Sequence, residues 1–339
     1  MIVCLATLQQ ISSRKWYTSF LKRHPILSVR VAQNLTPARE KVSEEQLRQW
    51  FKEIELYLKS KNLFDITNDS TRVFNSDESA FFLQPKGDKV LAKKGDKSVY
   101  NAGTNDEKEN LTVLVTANAA GELSPPMVVF KYERIPSHIA HSINKSWGIG
   151  RSESGWMCGP TFYEYITNIF VPWLVEKKIK RPVLMFIDGH VSHMTLHLSQ
   201  YCPRNGVELF ALYPNSTHLI QPMDVVVFKP LKLFWQKSVK DWHVENHGKK
   251  LRKENFGGVF EKALSNITKV TVQNGFKACG ISPFNVENVK FSKISNHLTG
   301  TTQVSQLKEG LAFLEKFIPT EKLKIFLFGK QSKIKRRPR

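Results

Sequence analysis

Two short apolar runs with a helical stretch between them restrict the fold more than any other feature of this chain. RPVLMFIDGH (181–190) packs five apolar residues together, Val183 to Ile187, and then meets Asp188 and Gly189. A continuous apolar run this short, flanked by turn residues, has the pattern of a strand buried on both faces. TLHLSQYC (195–202) follows with helical spacing, and GVELFALYP (206–214) reads as a second buried strand. Upstream, TRVFNSDESAFFLQ (71–84) is rich in residues that suit a strand. NLTVLVTANAAGELSPPMVVFK (110–131) reads as two strands joined around Asn118–Gly121. Antiparallel strands followed by strand, helix, strand, helix describe a mixed α/β layer fold.

The flanks read as helices. Ser12 or Ser13 caps a helix that Pro25 ends, with Trp16 and Phe20 on one face and Lys22 and Arg23 elsewhere. Ser43, Glu44 and Glu45 open a second helix over 43–60, where Leu47, Trp50, Phe51, Ile54 and Leu58 keep the 3.6-residue period. DITNDST (65–71) is a polar turn that suits a domain boundary. A helix over 161–178 is expected to bend or restart at Pro172, and 225–246 reads as a long helix with Pro230 inside it. Residues 247–339 read as mostly helical and basic, and there are no internal repeats. The expected organisation is a helical segment at 1–40, a linker helix at 41–70, the α/β domain at 71–245 and a basic helical region at 246–339.

Composition narrows the function classes. The 339 residues are 41% hydrophobic and 24% charged, which suits a packed core. No apolar run approaches ~18 residues, so no membrane span is expected. MIVCLATLQQ lacks the basic start and small-residue cleavage site of a signal peptide, and is read as structure. Cys4, Cys158, Cys202 and Cys279 lie far apart, which excludes a disulfide scaffold or a cysteine zinc module and fits a reducing compartment. Lys and Arg number 50 against 30 Asp and Glu, a net charge of +20. The surplus sits on the two flanks, 1–39 and 229–339, around a nearly neutral middle. Basic flanks suit a polyphosphate partner, because neutralising phosphates releases counterions. A solvated basic surface is the plain alternative, and no amphipathic basic helix with an insertion face favours a membrane.

Three aspartates occupy positions where chemistry concentrates. Asp77 lies within the first strand, Asp188 ends the run PVLMFID, and Asp224 follows ELFALYP and the turn NSTHLIQPM at the start of a helix. Reactive groups in α/β sheets gather beyond the carboxyl ends of strands. Three carboxylates converging there would make a hard-oxygen site for Mg²⁺ or Mn²⁺. Taken singly, Asp224 also reads as a helix cap and Asp188 as a strand-end turn. His190, His193 and His197 have zinc-like spacing without an evident fourth ligand. Glu78 follows Asp77 and so points to the opposite face, and Glu208 is expected to face solvent.

NSDESAFF, SGWM, FIDGHVSH, LYPNSTHLIQPMDV, VFKPLK and NGFKACGISPFN occur in this order. Together they resemble the DDE-superfamily transposase domain of the pogo, Tigger and jerky group, which includes host proteins such as centromere protein B. The resemblance runs from about residue 14 to about 285. It implies a ribonuclease H-like mixed sheet with flanking helices. KWYTSFLKRHPILSVR resembles the C-terminal part of that group's second helix-turn-helix, so 1–40 is read as a partial one. The group's acidic triad maps onto Asp77, Asp188 and Asp224. The resemblance implies two Mg²⁺ or Mn²⁺ ions, with Asp77 and Asp188 bridging both and Asp224 holding one. The implied chemistry is DNA cleavage by water and strand transfer by the freed 3′-OH. His193 sits in the group's DGH-x-SH loop and would position Asp188 or a phosphate. Val226 stands where the group has Gly, and Tyr165 where it has Trp.

Lys15, Lys22, Arg23 and Arg30 are the expected DNA contacts, with a solvated face as the alternative. KIKRRPR (333–339) fits a nuclear-import signal, a nonspecific DNA clamp or a frayed basic tail. Near the end, Leu311, Leu314 and Phe317, then Leu323 and Phe326, form an amphipathic pair suited to packing on the core or to self-association as a homodimer. The expectation is a nuclear, DNA-bound protein with neither membrane nor small-molecule partner. It is either a metal-dependent endonuclease and strand transferase, or a host-adopted chromatin factor whose catalysis is silent.

Overall fold

The computed structural model describes residues 14–23, 36–84, 109–190 and 195–293. Val42–Ile294 forms one compact unit. Helices α1 (Arg14–Arg23) and α2 (Pro37–Glu40) belong to a second unit and are described by themselves. Arg30, His193, the amphipathic pair near the end and KIKRRPR lie outside the described residues.

Helix α3 (Glu44–Ser60) begins where the sequence places it. Ser43 Oγ accepts from the Gln46 N–H at 3.2 Å, while Gln46 Oε1 accepts from the Ser43 N–H at 3.0 Å, so two end donors are satisfied reciprocally. We expected α3 to act as a linker, but it buries Leu47, Trp50, Phe51 and Leu58 in the core of the sheet. Trp50 donates from Nε1 to the Ala211 carbonyl at 3.2 Å and meets the Phe186 ring edge-on. The polar stretch after it forms two tight 3₁₀ turns, Phe64–Asn68 and Ser70–Arg72, with Ile66 and Thr67 buried.

Six strands follow: β1 (Val73–Phe82), β2 (Asn110–Asn118), β3 (Met127–Phe130), β4 (Gly148–Arg151), β5 (Val183–Ile187) and β6 (Val207–Ala211). They form one sheet in the order β4-β3-β2-β1-β5-β6. β1, β2 and β3 pair antiparallel, whereas β5 runs parallel to β1, β6 to β5 and β4 to β3. This mixed sheet with flanking helices is the ribonuclease H-like arrangement. β5 is buried throughout, as its unbroken apolar run requires. β6 departs from expectation: it lies at the sheet edge, and Glu208, Leu209 and Ala211 are half-buried.

Alternation along the strands sorts the two faces. Val73, Phe81, Val113, Val115, Leu184 and Phe186 look toward α3 and toward the long helices that follow β6. Phe74, Leu114, Val129, Val183, Met185 and Ile187 look toward the helices of the other layer. That second layer is α5 (Gly159–Tyr165), a π-helical turn (Ile166–Phe170) and α6 (Val171–Glu176), with α7 (Leu196–Arg204) beside them. The helical stretch runs without a break from Gly159 to Glu176, with Pro172 second in α6 and the extra residue of the π turn just before it. Short helix α4 (Ser137–Ser142) lies between β3 and β4, and α8 (Thr217–Ile220) follows β6. A second π turn (Met223–Val227) then leads into α9 (Phe228–Glu245), followed by α10 (Lys253–Leu264) and α11 (Lys269–Ala278). Trp235 on α9 fastens this layer to β1, donating to the Phe82 carbonyl at 2.9 Å and meeting Phe81 edge-on.

Candidate active site

Asp77 and Asn75 are two apart on β1, so both side chains lie on the face that carries Val73 and Phe81. The parallel ladder with β5 pairs Val73 with Leu184 and Asn75 with Phe186, and ends there. Asp77 lies two residues past the last ladder pair on β1, and Asp188 comes immediately after β5 ends. Of the two, Asp77 is still within its strand, on the face of Asn75. Glu78 alternates away from it, as expected, although its N–H donates to Asp77 Oδ1 at 2.8 Å.

Asn75, which the sequence reading passed over, ties these elements together. It is fully buried. Its Nδ2 donates to the Phe186 carbonyl at 2.8 Å, two residues before Asp188. Its Oδ1 accepts from the Met223 N–H at 3.1 Å, one residue before Asp224. One amide therefore joins β1, the end of β5 and the π turn, the three elements that carry Asp77, Asp188 and Asp224.

The three carboxylates differ in surroundings. Asp77 is 7% exposed, Asp188 is half-buried and Asp224 is exposed. Burial pushes the Asp77 carboxyl well above the usual carboxylate range, and the charges of Asp224 and then Glu78 push it further. Gln221 eases that rise, yet neither its Nε2 nor its Oε1 reaches a hydrogen bond of full geometry. Gln221 is itself fully buried. Asp188 Oδ1 accepts from the His190 N–H at 3.2 Å, which shapes the turn leaving β5.

A buried carboxyl facing a second carboxylate, with an unsatisfied amide beside it, is a place that a cation would stabilise. The donors are all oxygens, so the set fits Mg²⁺ or Mn²⁺ rather than a soft metal. Among the described residues, no three His, Cys, Asp or Glu stand close enough together to hold a metal ion, so the structure does not bring Asp77, Asp188 and Asp224 into one set of metal ligands. His197 lies by the Tyr163 ring, at 6.1 Å between ring centroids.

Val226 shares the π turn with Asp224, and a Cβ added at Gly275 of α11 would come within 3.4 Å of its Cβ. Tyr165 is core. Its hydroxyl pairs with Ser124 Oγ at 2.8 Å, and burial pushes the phenol up to about 12. Lys15, Lys22 and Arg23 are exposed on α1.

The family model described as DDE superfamily endonuclease matches residues 108–279. The chain belongs to that family. The matched segment holds Asp188, Gln221 and Asp224, while Asp77 and Asn75 lie upstream of it. Among solved structures, the Mos1 strand transfer complex aligns with 86% of this chain and 73% of its own, at 14% identity and a TM-score of 0.47. The catalytic domain of Mos1 mariner transposase aligns with 74% of this chain and 98% of its own, at 14% identity and a TM-score of 0.35. A relative named MFS-type transporter clz9, from Cochliobolus lunatus, is 27% identical over 233 residues, 67% of this chain. The chain spans 25% of the length of that relative. Among the described residues, no helix is long and apolar enough to cross a membrane.

Proposed function

We propose that this DDE-family chain is a metal-dependent DNA endonuclease and strand transferase, with Asp77, Asp188 and Asp224 as its acidic triad. The observation that carries this reading is the Asn75 amide, which ties together the three elements bearing those carboxylates. Asp77, Asp188 and Asp224 would hold two Mg²⁺ or Mn²⁺ ions, which when bound would activate water or a 3′-OH and neutralise charge at the leaving oxygen. The chain's own part is positioning. Asn75 sets the spacing of the acids, and burial keeps the Asp77 carboxyl out of bulk water. Lys15, Lys22 and Arg23 would hold the DNA backbone, and the basic run at 333–339 supports residence in the nucleus.

Nicking of supercoiled plasmid tests this. The wild type with Mg²⁺ or Mn²⁺ should relax the plasmid, and identically purified Asp188→Asn should not. Equal nicking by both would remove Asp188 from the site. No nicking by either, with DNA binding retained, would replace the enzyme reading with that of a silent, host-adopted binding factor.

A further inference from the structure

Gln221 is fully buried, and neither polar atom of its amide reaches a hydrogen bond of full geometry within the protein. Most buried amides in folded proteins are paired, so an orphan of this kind calls for a reason. Its position supplies one. Gln221 caps α8, and its carbonyl accepts from the Val225 N–H at 2.9 Å, so its backbone is part of the turn that carries Asp224. Its side chain lies beside Asp77. The same turn is held to β1 through Met223 and Asn75, which leaves little freedom to turn the amide toward solvent.

We propose that Gln221 is a positioning residue of the site, whose amide is satisfied only when a hydrated divalent cation lies against Asp77. One end of the amide orients the Asp77 carboxylate, and the other meets the cation's hydration shell. The residue donates no electrons to the reaction and carries no charge. Its work is to hold one carboxylate rotamer and one water position. The inference rests on the metal-site reading above.

The signature is a pair of effects with opposite sign. Filling the space with an apolar side chain of similar length removes the orphan atoms, so the metal-free protein should not lose stability. Removing a group that orients a metal ligand typically weakens metal binding by 10–100-fold. The experiment compares wild type, Gln221→Met, Gln221→Glu and Asp188→Asn as full chains without DNA. It reads the melting temperature in EDTA and Mn²⁺ affinity from the free-ion EPR signal.

Gln221→Met should melt at or above the wild-type temperature in EDTA and bind Mn²⁺ at least tenfold more weakly. Gln221→Glu, which adds a charge beside Asp77, should melt lower in EDTA and gain more from Mn²⁺ than the wild type does. The inference is overturned if Gln221→Met binds Mn²⁺ as the wild type does while Asp188→Asn loses it; the metal site then stands without Gln221. A clear loss of melting temperature in Gln221→Met with unchanged Mn²⁺ affinity would equally make the residue plain core. Absence of Mn²⁺ binding by the wild type would overturn the metal-site reading itself, and this inference with it.

Discussion

Replacing Asn75 by Ala should damage stability and metal binding together. The substitution removes two hydrogen bonds, one to the Phe186 carbonyl and one from the Met223 N–H. Both residues are fully buried, so water cannot replace the lost partner. A buried polar group left unpaired costs about 1–3 kcal/mol, so two such groups put the loss at about 2–6 kcal/mol. For a unit the size of Val42–Ile294, each kcal/mol lowers the melting temperature by about 2–4 °C, which predicts a fall of about 4–24 °C. Freed from Asn75, the turn bearing Asp224 no longer has its spacing from Asp77 fixed, so Mn²⁺ affinity should fall as well. Ser76→Ala is the control. Ser76 is the next residue, faces the other side of the sheet and bonds Thr116 Oγ1 at 2.6 Å. It should lower the melting temperature while leaving Mn²⁺ affinity alone. Thermal unfolding in EDTA and Mn²⁺ titration of both variants decide the matter. If Asn75→Ala melts within about 2 °C of wild type, or binds Mn²⁺ no worse than Ser76→Ala does, the clamp does not position the acids.

In EDTA, Asp77→Asn should melt above wild type, and the gap should widen as pH rises. The folded Asp77 carboxyl titrates above its unfolded value, so its charged form opposes folding. That cost is absent below the unfolded pKa of ~3.9 and complete above the raised folded one. A gap that shrinks with rising pH would refute this, and saturating Mg²⁺ should narrow it by stabilising wild type alone. Gly275→Ala would bring a Cβ to 3.1 Å from the Pro222 carbonyl and 3.4 Å from Val226. Overpacking of about 1–3 kcal/mol should outweigh the ~1 kcal/mol that Ala gains in a helix. Chemical denaturation should show a net loss, and a more stable variant would mean that the turn yields freely. Changing Lys15, Lys22 and Arg23 together to Ala should reduce the slope of log affinity against log salt for duplex DNA by about 2–3. An unchanged slope would assign them to a solvated face.

Much of this architecture was legible because apolar periodicity reports burial directly. Val183–Ile187 had to be an interior strand, and Asp188 after it had to sit at a strand end. The capping residues of α3 and the turn at Asn118–Gly121 are local chemistry, readable within a few residues. What escaped depends on distance along the chain. Asn75 reads as an ordinary strand residue until Phe186 and Met223, 111 and 148 positions away, are brought to it. Gln221 lay inside a quoted motif, but only folding shows that its amide is buried without a hydrogen bond of full geometry. β4 was missed because GIGR is four residues with two glycines, too short and too weak for period or propensity to register. α3 looked like a linker because its amphipathic pattern reveals an apolar face without naming the surface it covers. The π turns are similar: an extra residue in a helix changes no composition and leaves only a phase shift.

The Asn75 clamp also orders events during synthesis. β1 is made early, but the Met223 amide that completes its clamp follows 148 residues later. Contacts this distant must overcome loop closure before they contribute anything, so they form late in folding. A growing chain that has just passed β5 contains Asp77 and Asp188 but not yet Asp224. On the proposed mechanism, a half-made protein cannot cut nucleic acid near the ribosome. Competence would come in one step, with closure of the last helical layer over the sheet, and the same long reach would make the site an early casualty of any cut between β5 and α9.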